Sequence, residues 1–266
     1  MNHYSWTDIG VNLTDSSFDN DRNEVIEQAF SQGIDKLIIT GTTLKESLAA
    51  LHLCQRYPNQ LYCTVGIHPH YVKDHASADL HELETLVKEA GVVAIGETGL
   101  DFNRNLSPPE QQITSFIAQL EIASNHQQPL FLHERDAHTK QLEILKAHRD
   151  DFTHAVIHCF TGSKQALYNY LDLDLHIGIT GWICDERRGL ELQKLVKEIP
   201  ADRLMLETDA PYLLPRDIKP KPKSRRNTPS YLPHIANVVA GLVDKELAQL
   251  NEEVQQTTYD FFNLSA

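Results

Sequence analysis

A (β/α)8 barrel is the fold this chain predicts, and two observations carry that reading. One unit recurs eight times: a short run of β-branched and apolar residues, a polar tip, then an amphipathic stretch. No glycine-rich nucleotide loop follows the first run, as the competing doubly wound sheet would usually require. A length of 266 residues suits one such barrel, so 1–266 is expected to form a single domain.

The runs are DIGVNL (8–13), KLIITGT (36–42), LYCTVGIHPH (61–70), VVAIGETGLD (92–101), PLFLHERDA (129–137), AVIHCFTG (155–162), LHIGITG (175–181) and RLMLETDAP (203–211). Each reads as a strand whose apolar part is buried and whose polar end emerges. Between them, 19–32 places Val25, Ile26, Ala29 and Phe30 on one helical face, and 110–124 does so with Ile113, Phe116, Ile117, Leu120 and Ile122. Helices are also expected at 44–56, 79–90, 137–148, 164–171 and 188–198, with 232–243 and 245–262 closing the chain. Gly33 and Gly91 stand where helix ends call for a left-handed residue.

Composition narrows the class. Apolar residues make up 41% and charged residues 23%, enough for a sizeable core and a hydrated surface. With no leader pattern and no apolar run long enough to span a bilayer, a cytoplasmic protein without membrane contact is expected. Cys54, Cys63, Cys159 and Cys184 form no C-x-x-C pair, which fits reduced thiols. A net charge of −13 argues against a broad clamp on duplex DNA, though not against local cations meeting a phosphate. The loop LPRDIKPKPKSRRNTPSYLP (214–233) supplies such cations, with six Lys or Arg against one Asp. Without a long exposed apolar stripe, a monomer with no obligate protein partner is expected.

Barrel chemistry sits at the C-terminal strand ends. Those tips carry His68 and His70 on strand 3, Glu97 on strand 4, His133 on strand 5, His158 on strand 6 and Asp209 on strand 8. A buried carboxylate costs several kcal/mol unless it is paired or bound to a metal. Imidazoles and carboxylates converging on one barrel mouth therefore point to a divalent ion. Taken singly, His133 and His158 also read as core histidines, and Asp209 as a turn cap before Pro211. His126, His138 and His148 fall on helices or loops and are expected to be solvated.

GIHPH (66–70), AIGETGLDF (94–102), LHERDA (132–137), IHCFTG (157–162) and ETDAPYL (207–213) resemble the signatures of the TatD family of metal-dependent deoxyribonucleases. DIGVNLT, GITGWICDERRG (178–189) and PRDIKPKPKSRRN (215–227) resemble one branch of that family more than the others. The resemblance covers nearly the whole chain. It implies an amidohydrolase-like barrel and a magnesium-dependent 3′-5′ exonuclease of single-stranded DNA and RNA, with a place in DNA repair. Position by position it implies Glu97, His133, His158 and Asp209 at the metal, with Asp209 also the catalytic base. It implies His68 and His70 either on substrate phosphate or behind the metal ligands, and Arg135 on substrate phosphate. Lys219, Lys221, Lys223, Arg225 and Arg226 of the basic loop are expected to steer or bind the nucleic-acid backbone. Phe102, Phe160, Trp182 and Tyr212 are candidates to stack on unpaired bases.

The chain departs from the family at strand 1. Most members carry H-x-H there, and here Gly10 and Asn12 occupy those places. Gly10 offers no ligand and Asn12 only a neutral carbonyl, so a strand-1 zinc site is not expected. The remaining set suits Mg²⁺, which needs few protein ligands, while the imidazoles leave Mn²⁺ or Zn²⁺ open. Two other readings stand beside the exonuclease. One is a metal hydrolase of a small ester, lactone or amide, since fold alone does not fix substrate. The other is a non-catalytic binding protein on a degenerate barrel.

Overall fold

The computed structural model describes residues 4–264. Its eight strands are β1 (Trp6–Val11), β2 (Ile34–Ile39), β3 (Leu61–Val65), β4 (Val92–Asp101), β5 (Leu130–Arg135), β6 (Ala155–Ile157), β7 (His176–Ile179) and β8 (Leu204–Leu206). They alternate with α1 (Arg22–Ser31), α2 (Leu44–Arg56), α3 (Ser77–Leu86), α4 (Pro109–His126), α5 (His138–Ala147), α6 (Lys164–Leu171), α7 (Leu190–Leu195) and α8 (Leu232–Leu242), and α9 (Leu247–Phe262) follows. One sheet runs in the order β1-β2-β3-β4-β5-β6-β7-β8, the order of a (β/α)8 fold. The expected helices all appear, and their ends move by only a few residues.

Two compact units divide the chain. The first holds the described residues of Met1–Ile39, Cys159–Lys164 and Ile177–Ala266; the second holds Thr40–His158 and Gln165–His176.

In the second unit, β3, β4, β5 and β6 pair in parallel. All ten residues of β4 are buried, including Glu97, Thr98 and Asp101. That is the near-continuous burial expected of a parallel strand covered on both faces. Two glycines set the geometry around Glu97. Gly96 (φ 147°) and Gly99 (φ 133°) lie in backbone regions that L side chains rarely adopt. A Cβ at Gly96 would stand 2.2 Å from the Phe131 carbonyl oxygen, and one at Gly99 would stand 2.1 Å from that of His133. The β4–β5 register shifts between Ile95 and Thr98, at this close approach.

Helix α4 packs on β4 and buries Phe116 and Leu120, as the periodicity predicts. Its buried face differs from the expected one, however. Ile113 and Ile117 are half-buried, while Gln112 and Gln119 are fully buried. The Gln112 side chain accepts from Asp101 N–H at 2.8 Å, and Gln119 accepts from Ile67 N–H at 2.8 Å and donates to Ile67 O at 3.0 Å. These amides satisfy strand-end backbone groups that would otherwise be buried without partners. Phe30, expected on the apolar face of α1, is likewise only half-buried.

In the first unit, β1 pairs with β2 and β7 with β8, both in parallel. The segment after β8 is tied to β1: Asp209 N–H donates to Gly10 O at 2.9 Å, and Asn12 N–H donates to Ala210 O at 2.7 Å. Asp8, fully buried, completes the link. It accepts from Thr208 N–H at 2.9 Å and Gly10 N–H at 3.2 Å, and its second oxygen pairs with the Thr208 hydroxyl at 2.5 Å. Burial, reinforced by the Glu207 charge and only partly offset by these hydrogen bonds, pushes the Asp8 carboxyl up to about 8.

Gly99→Ala is expected to lower the unfolding free energy by about 2–4 kcal/mol, because both the positive φ and the His133 carbonyl oppose a side chain. An unchanged urea midpoint would remove that account. Asp8 generates a pH dependence. Unfolded, it titrates near 3.8; folded, near 8, so between those values the native state holds a proton that the unfolded state lacks. Stability contributed by Asp8 is therefore complete below the lower value and falls as pH rises, by at most about 1.4 kcal/mol per unit. Urea unfolding at about pH 5, 6 and 7 should show a decline that Asp8→Asn flattens; parallel curves would refute it.

Candidate metal centre

Glu97 lies inside β4, and its Oε1 is the point on which three imidazoles of the second unit converge. His158 Nε2 stands 2.7 Å away, His133 Nδ1 2.9 Å and His68 Nε2 3.3 Å. Each ring is delivered by a neighbouring strand. His133 sits within β5, paired opposite Gly99. His158 follows β6, where its N–H donates to Leu132 O at 3.0 Å and its ring stacks on Phe131 at 4.8 Å between centroids. His68 follows β3; its N–H donates to Thr42 O at 2.9 Å, and its Nδ1 accepts from His70 N–H at 3.0 Å. That last bond fixes the tautomer, so His68 presents its Nε2 edge to Glu97.

A carboxylate oxygen has about two lone pairs, so three ring nitrogens cannot all donate well to it. A cation among the same donors resolves the conflict. Ligand atoms of His68, Glu97 and His133 lie within 4.8 Å of one another, a group that could hold a metal ion. Burial alone would raise the Glu97 carboxyl, but the charges of His158 and His68 and the hydrogen bonds from His133 and His158 hold it well below the carboxylate range. Burial moves His68 the other way, down to about 4, with Glu97 only partly offsetting it. For His133 burial is outweighed by its bonds to Asp101 and Glu97, which raise it. A retained carboxylate suits metal binding, which needs deprotonated ligands and so would displace the proton that these bonds favour on His133.

Asp101 is the residue that sequence reading missed. Its Oδ2 meets His70 Nε2 at 2.6 Å and His133 Nε2 at 3.3 Å. Burial would raise this carboxyl, yet those two imidazoles and the Arg104 N–H hold it well below its usual range. It grips His133 on the edge opposite Glu97, the orienting contact that metal-ligating histidines commonly have. A signal was present: 97, 99 and 101 alternate onto one face of a strand. His70 thus stands beside Asp101.

The first unit carries Asp209, just after β8, in a left-handed conformation (φ 54°). Its Oδ1 accepts from Asn12 Nδ2 at 3.0 Å. Asn12, one of the two residues in place of the strand-1 histidines, thus orients a carboxylate. Glu207 is fully buried and accepts the Cys159 N–H at 2.5 Å. Arg226 is held by Asp21 at 2.9 and 2.5 Å, and its guanidinium packs over Phe18. Arg135 ends β5 and is half-buried. Of the aromatic candidates, Phe160 is buried and serves packing, whereas Tyr212 is exposed. His126, His138 and His148, expected to be solvated, are half-buried and contact Glu84, Asn169 and Asp151.

With this geometry in view, the family of TatD related DNases matches residues 7–263 of the chain. The chain is 50% identical to the 3′-5′ ssDNA/RNA exonuclease TatD of Erwinia billingiae (strain Eb661) over 259 residues, covering 97% of this chain and 99% of that protein. It is 52% identical to the protein of the same name from Salmonella typhimurium over 233 residues, 88% and 89% of the two chains. Among solved structures, a hydrolase TatD family protein from Entamoeba histolytica superposes with a TM-score of 0.90 at 26% identity, covering 98% of this chain and 99% of that one. A TatD homolog from Escherichia coli k12 gives 0.89 at 27% identity, covering 98% of each.

Proposed function

The chain belongs to the TatD related DNase family, and from that membership we infer that it is a 3′-5′ exonuclease hydrolysing phosphodiester bonds of single-stranded DNA and RNA. The observation that carries the chemistry is the convergence of three imidazoles on Glu97 Oε1. A degenerate, non-catalytic barrel has no reason to keep that costly buried cluster.

In this reading Glu97, His133 and His158 hold the ion, while His68, whose Nε2–H points at the Glu97 oxygen, steadies that carboxylate. A bound divalent ion supplies a Lewis acid for a phosphoryl oxygen and makes water more acidic. Asp101 keeps His133 in the rotamer and tautomer that ligation needs. Asp209 belongs to the metal set by family resemblance and accepts the proton of the attacking water. Asn12 supports that role by fixing the rotation of the carboxylate through Oδ1. His70, held at Nε2 by Asp101, and Arg135 meet the substrate phosphate, with Arg226 and the basic loop along the strand. Magnesium is the proposed ion, with Mn²⁺ and Zn²⁺ as the alternatives that the imidazoles favour.

No described helix is long and apolar enough to cross a membrane. A monomer without an obligate protein partner, the expectation from the sequence, remains part of this proposal. Free thiols at all four cysteines fit the cytoplasm, and trimming of frayed 3′ ends fits DNA repair.

The chelator-treated protein should release mononucleotides from the 3′ end of labelled single strands only after a divalent ion is restored, and should leave circular DNA intact. Asp209→Asn should lower kcat by at least about a hundredfold at saturating ion; turnover near that of the parent would refute the base assignment. Replacing Lys219, Lys221 and Lys223 by Gln should reduce the slope of log binding constant against log salt by about 0.7 per lysine that meets a phosphate. An unchanged slope would return the loop to a purely solvated role.

A further inference from the structure

A second cluster of metal-ligating side chains lies in the first unit, on residues to which the nuclease reading gives no role. Cys184 closes the short 3-10 turn Gly181–Cys184 after β7, Asp217 lies in the basic loop, and His234 is in the first turn of α8. Helix α8 packs against that turn, which brings the three together. One ligand atom from each, Sγ, a carboxylate oxygen and a ring nitrogen, lies within 4.8 Å of the others. His234 Nε2 and Asp217 Oδ1 are 2.7 Å apart, and Asp217 stands beside the Cys184 thiol.

Two features separate this from ordinary surface polarity. Cys184 is buried at 3% exposure, while Asp217 and His234 are partly open, so the thiol faces a site that solvent ions can reach. The neighbouring cations are already engaged. Arg187 and Arg188 bind Asp185, and Arg216 binds Glu186 at 3.1 Å and Asp185 at 3.7 Å. A nucleophilic cysteine is not what the geometry supports. Asp217 stands on both the thiol and the imidazole, and a carboxylate beside a buried thiol disfavours the thiolate.

We propose that Cys184, Asp217 and His234 form a second metal site, distinct from the Glu97 centre, that takes Zn²⁺ and staples the basic loop to the turn after β7 and to α8. A thiolate, a carboxylate and a neutral imidazole match the charge and softness of zinc. Bonds of about 2.0–2.3 Å place tetrahedral ligand atoms roughly 3.3–3.8 Å apart. Asp217 and His234 are partly open, which leaves their side chains room to turn toward that spacing. Binding releases the thiol proton to solvent, and the remaining position takes water. The staple sets the posture of Lys219, Lys221 and Lys223, so zinc tunes nucleic-acid binding by the basic loop. The metal site does not depend on the exonuclease reading; its effect on nucleic-acid binding rests on it.

Cobalt(II) titration of the full-length, chelator-stripped protein tests it, because only a thiolate ligand gives a near-ultraviolet sulfur-to-cobalt charge-transfer band. The band is expected in the parent and in Glu97→Gln, and lost in Cys184→Ser. Asp217→Asn and His234→Gln, changed at open positions that spare the fold, should bind that ion at least about tenfold more weakly. Zinc should also protect Lys219–Arg226 from trypsin in the parent and not in Asp217→Asn. No charge-transfer band in the parent, or one unaltered in Asp217→Asn and His234→Gln, overturns the site. Equal proteolysis with and without zinc overturns the staple.

Discussion

One buried carboxylate organises the second unit. Glu97 is inside a strand whose every residue is covered, and a charge there is tolerable only among compensating groups. Three imidazoles meet its Oε1, and Asp101 anchors one of them from behind. Much of the surrounding sequence follows from that need. Gly96 and Gly99 let β4 run close against β5, so that Glu97 and His133 share a small space. Gln112 and Gln119 take up the backbone groups left over where strands β3 and β4 end. His68 and His133, which stabilise Glu97 without a cation, belong with it to a group that could hold one.

The first unit solves a parallel problem with hydrogen bonds. Asp8 binds Thr208 at both backbone and hydroxyl, Asp209 binds Gly10 through its backbone, and Asn12 binds the Asp209 side chain. The strand-1 departure from the family pattern therefore has a structural meaning. Asn12 orients a carboxylate by donating a hydrogen bond to Asp209. Gly10 contributes its backbone, with its N–H on Asp8 and its carbonyl under Asp209.

Much of this was legible in the chain. Strands covered on both faces must be apolar, so Glu97, His133 and His158 at their tips stand out against Val, Ile and Leu. The helices were legible by their apolar period. Asp101 was harder, since it reads as the start of a turn although its spacing from Glu97 puts it on the same strand face. Gln112 and Gln119 were not legible. A glutamine on a helix normally faces water, and only the strand ends packed against α4 make burial favourable. Arg226 was read as a phosphate contact, while Asp21, far away in sequence, engages it.

The sequence by itself determined the (β/α)8 order and the family, and it picked out residues that gather round Glu97, because periodicity and motif spacing are local properties of a chain. Tertiary structure alone decided the tautomer of His68, the grip of Asp101 on His133, the orienting bond from Asn12 and the meeting of Cys184, Asp217 and His234. Those depend on directions and distances between side chains remote in sequence. A hydrogen bond or ligand sphere is decided within a few tenths of an ångström, which no local pattern encodes.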